Sequence, residues 1–223
     1  MITEDSIKQF FIFMFYFSVT ALTSTAFFQC YHLSMQRAAF VLAGGRSSRM
    51  GSDKALLPFR GRTLVEHVMA QVDSVISNVT LVGDSSRYID FRYPVTEDRF
   101  EGCGPLAGIH AALAITNCEW NLILACDMPE ITPQFLNQLM ERAESGCADA
   151  VIPVPPGGVP EPLCAAYQRR CVGVIANALR NGVRKVTDGL AGLEIDYWSV
   201  PHSHFFRNLN TPQEWALYSH DAR

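Results

Sequence analysis

Three kinds of pattern that often assign a function are missing from this chain of 223 residues. None of its seven cysteines forms a C-x-x-C pair and their number is odd, so neither a zinc site nor a disulfide framework is supported. The chain has no run of lysine and arginine and its net charge is −4, which argues against nucleic acid as the main partner. It also lacks low-complexity tracts and internal repeats, so an ordinary globular domain with reduced thiols is expected.

The N-terminal residues differ in composition from the rest of the chain. Residues 10–28 contain no charged side chain and many phenylalanines, and this length is just enough to span a bilayer as a helix. Three interpretations are open: a membrane anchor, a signal peptide that exports the domain, and a reading frame whose true start is Met35. No A-x-A-like cleavage site follows the apolar stretch, and Met35 lies shortly before the first predicted strand, so we favour the third. Residues 1–34 are then an extension and residues 36–223 one domain, with membrane attachment only if the extension is real.

The remainder of the chain alternates short apolar runs with segments of helical periodicity. Strands are predicted at 38–42, 78–82, 120–126 and 149–154, and helices at 63–76, 105–115, 132–143 and 172–179. Because helices that connect parallel strands cover both faces of a sheet, this alternation predicts an α/β fold with a mostly parallel sheet. The proline- and glycine-rich segment 153–162 is predicted to be an active-site loop rather than a domain linker.

Two positions follow predicted strands, where open α/β sheets bind their ligands. The glycine-rich segment 42–54 offers backbone N–H groups together with Arg49 and Lys54, a pattern suited to phosphate oxygens. It is neither a P-loop nor a G-x-G-x-x-G motif, and a surface turn with two solvated cations is the alternative. Asp127 follows the strand 120–126, where a carboxylate can hold Mg²⁺ together with phosphate oxygens. A capping or turn role is the alternative for Asp127.

Four segments together resemble the MobA-like nucleotidyltransferases, the molybdenum cofactor guanylyltransferases. They are L-A-G-G-x-S-x-R-M-G-x-D-K at 42–54, E-D at 97–98 with G-P-L-A-G at 104–108, C-D-x-P at 126–129, and N-x-N-T-P at 208–212. The resemblance spans residues 36–215. It implies a three-layer αβα, Rossmann-like nucleotidyltransferase fold.

The resemblance also implies roles for individual residues. A catalytic set of charged side chains is expected from Lys54, Arg49 and Asp127. A nucleotide site is expected from Leu42, Ala43, Gly44, Lys54, Asp98 and Asp127. Asp127 is expected to hold Mg²⁺, while a turn role is the alternative for Asp98, and Asn210 is either a ligand of metal or substrate or a helix cap. Where family members can have asparagine after the second strand, this chain has Gly83 and Asp84, so the guanine contact is left unassigned.

Further polar residues are weaker candidates for the acceptor site. The basic pairs 169–170 and 184–185 are candidates for the phosphate of the acceptor, with solvated surface as the alternative. Glu161 lies in the loop where related enzymes receive the acceptor, although loop geometry explains it nearly as well. His202 and His204 would share one face of a strand, but without a third ligand they are expected to be surface residues.

Together these resemblances imply a cytoplasmic, Mg²⁺-dependent enzyme that transfers GMP from GTP to the molybdenum-molybdopterin cofactor and releases pyrophosphate. The expected partners are GTP, the molybdopterin cofactor and the apoproteins of molybdoenzymes. Alternatives are a cytidylyltransferase of the same cofactor, a sugar-phosphate nucleotidyltransferase and a nucleotide-binding protein without catalysis. Cytidylyl relatives tend to read L-A-A-G where this chain has L-A-G-G at 42–45, and the space left by glycine favours a purine.

Overall fold

The computed structural model of the chain describes residues 37–43, 53–100 and 102–209, and all structural statements concern these residues. The strands within them are β1 (Arg37–Leu42), β2 (Pro58–Phe59), β3 (Arg62–Thr63), β4 (Val79–Val82), β5 (Val95–Thr96), β6 (Trp120–Ala125), β7 (Ala150–Val154), β8 (Cys164–Gln168) and β9 (Ile195–Ser199). The helices are α1 (Leu64–Asp73), α2 (Pro105–Ile115), α3 (Pro133–Ser145), α4 (Val172–Arg180) and α5 (Val186–Gly189).

Seven strands form one sheet in the order β5-β4-β1-β6-β8-β7-β9, while β2 and β3 form a separate small hairpin. Neighbouring strands of the large sheet are parallel except where β8 pairs with β6 and β7. The carboxyl ends of the parallel strands therefore lie along one side of the sheet. We call this side the carboxyl edge and define it by the strand ends Leu42, Val82 and Ala125. The predicted mostly parallel sheet is confirmed.

Alternate side chains of β1 face opposite helical layers. Ala39 and Val41 pack in a core with α1 and α3, whereas Ala38 and Phe40 pack in a second core with α2, α4 and α5. Because successive side chains of a strand point to opposite faces, a strand buried on both sides reads as a continuous apolar run. The predicted three-layer αβα architecture is confirmed.

The predicted helix starts are confirmed by the capping contacts. The Thr63 hydroxyl accepts a hydrogen bond from the backbone N–H of Glu66, and a Glu66 carboxylate oxygen accepts from the Thr63 N–H at 2.8 Å. This reciprocal pair satisfies N–H groups that the first turn of α1 leaves without helical partners. Thr132 caps α3 in the same position, and Pro105 occupies the first turn of α2.

Two features of the fold differ from the sequence prediction. The segment after the loop 155–163 returns as β8, a central antiparallel strand that the sequence prediction omitted. The predicted strand carrying His202 and His204 is wrong, because β9 ends at Ser199 and His204 opens a short 3-10 turn. The two histidine rings are exposed and their centroids lie 5.5 Å apart.

The N-terminal segment 10–28 lies outside the residues that the structure describes. Among the helices in the described ranges, none combines the length and the apolar character needed to cross a bilayer. The three interpretations of residues 10–28, and the division into residues 1–34 and 36–223, therefore stay predictions.

Candidate active site

The carboxyl ends of β1 and β6 are neighbours at the centre of the carboxyl edge. Leu42 pairs with Ala125, and the Cys126 N–H donates to the Leu42 carbonyl at 3.1 Å. On the other side of β1, the Ala43 N–H donates to the Val82 carbonyl at 2.9 Å. The chain adds β4 on one side of β1 and then β6 on the other. Ligands of open α/β sheets bind at such a point of reversal, so this is the expected location of a site.

Lys54 and Asp127 meet at this point although they are far apart in the chain. Lys54 opens a 3-10 turn, Lys54–Leu56, and its Nζ lies 3.1 Å from the Asp127 Oδ2. The two side chains are 13% and 25% exposed, so the pair is partly shielded from water yet open to a ligand. A cation and a carboxylate placed together in this way can hold a phosphate group and its metal ion.

Asp53, which precedes Lys54, is held by three donors. Its carboxylate accepts from the Ala55 N–H at 3.1 Å, from Arg87 Nη1 at 3.2 Å and from the Tyr88 hydroxyl at 3.2 Å. The first of these bonds caps the turn that begins at Lys54. Asp53 belongs to the motif at 42–54, but its motif position alone predicts no role for it.

Tyr88 is a second residue that sequence reasoning missed. Its side chain is buried, and its hydroxyl lies 3.4 Å from the Ala43 carbonyl as well as 3.2 Å from the Asp53 carboxylate. Burial, followed by the negative charge of Asp53, raises the pKa of Tyr88 well above its ordinary value. The hydroxyl therefore remains protonated and can donate a hydrogen bond across the whole physiological pH range.

Gly83 and Asp84, which stand where family members can have asparagine, both support the local fold of the chain after β4. A Cβ atom on Gly83 would lie only 3.0 Å from the Tyr88 ring, so a larger residue there would displace that ring. Asp84 caps the 3-10 turn Ser85–Arg87, accepting from the Ser86 N–H at 3.0 Å and pairing with Arg87 at 3.1 Å. The Tyr88 ring therefore occupies the space beside position 83 that a longer side chain at that position would need.

The Glu97–Asp98 pair follows β5 and so reaches the same carboxyl edge. Glu97 accepts hydrogen bonds from the Ser85 hydroxyl and, at 3.0 Å, from the Ser85 N–H. The hydroxyl bond first, and then the N–H bond, lower the pKa of Glu97, so it stays ionised. Glu97 thereby ties the loop after β4 to the end of β5, while the neighbouring Asp98 is exposed at that edge.

Glu161 approaches the same site from the loop between β7 and β8. Its N–H donates to the Pro153 carbonyl at 2.9 Å and its carbonyl accepts from the Cys164 N–H at 3.0 Å, which fixes the backbone. Burial first, and then the charge of Asp127, raise the pKa of the half-buried Glu161. A second carboxyl group thus lies in the electrostatic field of Asp127.

The thiol of Cys126, beside Asp127, lies in surroundings that disfavour its ionised form. Burial, followed by the charge of Asp127, raises the pKa of the Cys126 thiol to about 12. A thiol with so high a pKa is protonated at neutral pH, and only the thiolate attacks substrates or binds metals well. The remaining chemistry of the site therefore belongs to its carboxylates and cations.

The C-terminal motif also reaches Asp127. The Leu209 N–H donates to the Asp127 carbonyl at 3.2 Å. The neighbouring Asn208 has a buried side-chain oxygen with no hydrogen-bond partner in the described part of the chain. Asn210 lies outside the described residues, so its predicted role stays a prediction.

The two basic pairs, 169–170 and 184–185, lie in different surroundings. Because β8 is antiparallel, its last residue, Gln168, pairs with Trp120 at the start of β6, so the pair 169–170 lies on the side of the sheet opposite Asp127. Arg170 also pairs with Asp149 at 2.5 Å. The position of the pair 169–170 therefore favours the alternative, a solvated surface, over binding of the acceptor phosphate. In the pair 184–185, Lys185 lies 3.4 Å from Asp188 and both are exposed.

Of the predicted site residues, the structure brings together Leu42, Ala43, Lys54 and Asp127, and places Asp98 along the same edge. Gly44 and Arg49 lie outside the described residues. The described ranges contain no group of three or more histidine, cysteine, aspartate or glutamate side chains that could hold a metal ion. A metal here would need oxygen ligands from phosphate and water, which is how proteins usually hold Mg²⁺.

Comparison with known proteins extends the sequence resemblance over most of the chain. The profile of the MobA-like NTP transferase domain matches residues 39–194. A probable molybdenum cofactor guanylyltransferase of Bacillus cereus (strain G9842) is 32% identical over 194 residues, covering 82% of this chain and 96% of the relative. A second protein of that description, from Carboxydothermus hydrogenoformans, is 33% identical over 182 residues, covering 78% of this chain and 91% of the relative.

A solved structure shows the same architecture. The crystal structure of molybdopterin-guanine dinucleotide biosynthesis protein A from Archaeoglobus fulgidus superposes with a TM-score of 0.73 at 27% identity. The match covers 83% of this chain and 97% of that protein, so it includes nearly all of the Archaeoglobus fulgidus protein.

Proposed function

This chain belongs to the MobA-like NTP transferase family, and from that premise we propose that it transfers GMP from GTP to the molybdenum-molybdopterin cofactor. The family makes the protein a nucleotidyltransferase. The choice of guanine and of this acceptor is our proposal, supported by relatives of 32–33% identity that are described as molybdenum cofactor guanylyltransferases.

One observation carries the proposal: the 3.1 Å contact between Lys54 and Asp127 at the carboxyl edge. It joins the motif that follows β1 to the motif that follows β6, and each was proposed independently to contact the same triphosphate. Two side chains that bind the same ligand must lie close together, and the side chains of Lys54 and Asp127 are in contact.

In the proposed reaction the terminal phosphate of the cofactor attacks the α-phosphorus of GTP. A new P–O–P linkage forms, the bond to the β-phosphate oxygen breaks, and pyrophosphate leaves. Because the acceptor is already an anionic nucleophile, the protein needs no nucleophilic side chain and no strong base. Its work is to align the phosphates and to neutralise negative charge, which positioned groups do well in a partly dry site.

Lys54 supplies a fixed positive charge beside the phosphates, and Asp127 supplies the carboxylate for the metal. When bound, Mg²⁺ would act as a Lewis acid on the phosphate oxygens. The donor set suits this ion, since Asp127 is a partly exposed carboxylate beside a cation and Glu161 lies in its electrostatic field. Mg²⁺ typically takes one or two carboxylates and completes its shell with phosphate oxygens and water.

The experiment that tests the proposal is a product assay. The protein is incubated with Mg²⁺, loaded molybdopterin cofactor and GTP, CTP or ATP in parallel, and the product is hydrolysed and analysed by chromatography. We expect GMP from the GTP reaction and pyrophosphate in equal amount. Preferential release of CMP would replace the proposal by the cytidylyltransferase alternative, and GTP binding without any turnover would favour a non-catalytic protein.

A further inference from the structure

The two residues that flank positions 44–52 in the chain, Ala43 and Asp53, both contact one side chain. The Tyr88 hydroxyl lies 3.4 Å from the carbonyl oxygen of Ala43 and 3.2 Å from the Asp53 Oδ2. A hydroxyl can donate one hydrogen bond and accept others, so it can donate to either oxygen acceptor while it remains close to both. It therefore links the end of β1 with the start of the Lys54 turn.

Packing defines where this hydroxyl lies. The Tyr88 side chain is 2% exposed, and its ring meets the Phe91 ring edge to face with centroids 5.4 Å apart. Gly83 leaves the space that the ring fills, since an added Cβ would lie 3.0 Å from the Tyr88 Cε2 atom. A closely packed ring holds its polar atom in one place, which is what a positioning group requires.

A short series of contacts leads from this hydroxyl to the proposed phosphate site. It bonds to Asp53, the Asp53 carboxylate caps the turn that begins at Lys54, and Lys54 Nζ reaches Asp127 at 3.1 Å. The second contact goes to Ala43, whose backbone is proposed to touch the nucleotide. Both branches end on groups with a proposed role in binding GTP.

We propose that Tyr88 is a positioning residue of the nucleotide site, whose hydroxyl holds Ala43 and the Asp53–Lys54 turn in the arrangement that binds GTP. The inference rests on the proposed function. Tyr88 is not expected to touch GTP, because its side chain is buried.

The test compares Tyr88→Phe with the wild-type protein by titration calorimetry with GTP and Mg²⁺. Phenylalanine keeps the packed ring and removes only the hydroxyl. Hydrogen bonds to charged groups are worth enough that the Kd for GTP should rise about tenfold. Urea unfolding of both proteins, followed by circular dichroism, separates this effect from a loss of stability.

The chain offers a matched control. The Tyr93 hydroxyl lies 3.2 Å from Asp73 Oδ2, and Arg92 pairs with the same carboxylate at 3.2 Å. Tyr93→Phe therefore removes the same kind of tyrosine–aspartate–arginine contact from α1, away from the carboxyl edge. We expect it to change the free energy of unfolding without changing the Kd for GTP.

Two further tests bear on the inference, and the first of them, Gly83→Ala, does not depend on how Tyr88→Phe folds. Gly83→Ala should displace the ring and also weaken GTP binding. In an Asp53→Asn background, Tyr88→Phe should cost less affinity than it does alone, because the two residues act in one network. Full additivity of the two substitutions would overturn the route through Asp53.

The outcomes distinguish this inference from the proposed function. Wild-type protein that fails to bind GTP at millimolar concentration overturns both. Wild-type protein that binds GTP, with an unchanged Kd in Tyr88→Phe, overturns only the positioning role. Equal losses of affinity in Tyr88→Phe and Tyr93→Phe would assign the effect to general stability and would overturn it too.

Discussion

At the scale of single residues, the site depends on charges that support one another. Lys54 and Asp127 each face a cost for leaving water, and each reduces that cost for the other at a separation of 3.1 Å. Removal of either partner leaves an uncompensated charge, but both side chains remain partly exposed, so water can compensate. A substitution here should therefore affect function more than folding.

Asp127→Asn tests this expectation. The amide keeps the size of the carboxylate but removes the charge that Lys54 and a metal would need, so GMP transfer should fall at least about 100-fold, as when other electrostatic groups of active sites are removed. The measurement is the rate of GMP transfer, together with the midpoint of thermal unfolding. Asp73→Asn is the matched control, because Asp73 pairs with Arg92 at the end of α1, away from the carboxyl edge. Transfer near the wild-type rate in Asp127→Asn would contradict the assignment.

The raised pKa of Glu161 predicts how the stability of the fold depends on pH. Burial and the charge of Asp127 raise its pKa in the folded protein above the ordinary 4.5, so the folded state binds this proton more tightly than the unfolded state does. The resulting destabilisation is absent below the unfolded pKa and grows as pH rises through the folded pKa. Glu161→Gln removes it. This variant should be more stable than wild type at pH 7, and the difference should shrink at acid pH.

The measurement for Glu161→Gln is the urea midpoint at neutral pH and at a pH below 4.5, where the unfolded glutamate is protonated. Glu141→Gln, which removes an exposed carboxylate from α3, is the control for the loss of one negative charge. A difference that stays constant with pH, or a variant that is less stable at neutral pH, would contradict the predicted sign.

The residues also show what a sequence can reveal about a site. That Lys54 and Asp127 lie at the carboxyl edge was predictable, because one lies in a recognisable motif and the other directly follows a buried strand. The contact between Tyr88 and Asp53 was not predictable, since it joins positions 35 apart in the chain. A tyrosine in a polar loop gives no local signal that its ring will be buried.

At the scale of elements, local signals predicted local structure. Thr63, Thr132 and Pro105 marked helix starts, because capping involves only residues three positions apart. By contrast, β8 was missed because its short sequence has no distinctive periodicity and its pairing partner β6 is distant in the chain. The orientation of β8 puts the pair 169–170 on the side of the sheet opposite Asp127, which the sequence of the pair alone does not show.

The capping box of α1 gives a prediction at this scale. Thr63→Ala removes the acceptor of the Glu66 N–H and weakens the reciprocal bond, so the free energy of unfolding should fall by about 1 kcal/mol. Urea unfolding measures this change. The control, Thr187→Ala, removes a hydroxyl from an exposed threonine in α5 and should change the value much less. A neutral Thr63→Ala would mean that packing alone fixes the start of α1.

At the scale of the whole molecule, the two cores share one sheet. Strand β1 contributes Ala39 to one core and Phe40 to the other, and its end at Leu42 forms part of the proposed nucleotide site. Disruption of either helical layer exposes the strands that support the other, so the described domain should unfold as a single cooperative unit. Ligand binding at the carboxyl edge should then stabilise both layers together.

Nucleotide-dependent unfolding tests this coupling and the base preference at once. A ligand that binds only the folded state at a concentration 100 times its Kd adds about 2.7 kcal/mol, which for a domain of this size raises the unfolding midpoint by roughly 5–10 °C. With Mg²⁺ present, GTP should produce a larger shift than CTP or ATP at equal concentration, and near- and far-ultraviolet circular dichroism should report the same midpoint.

Lys54→Ala should reduce the shift because it removes the cation beside the phosphates, whereas Lys185→Ala, which removes an exposed lysine, should not. A larger shift with CTP would exclude the guanine preference, and separate midpoints from the two spectra would show that the domain does not unfold in a single cooperative step.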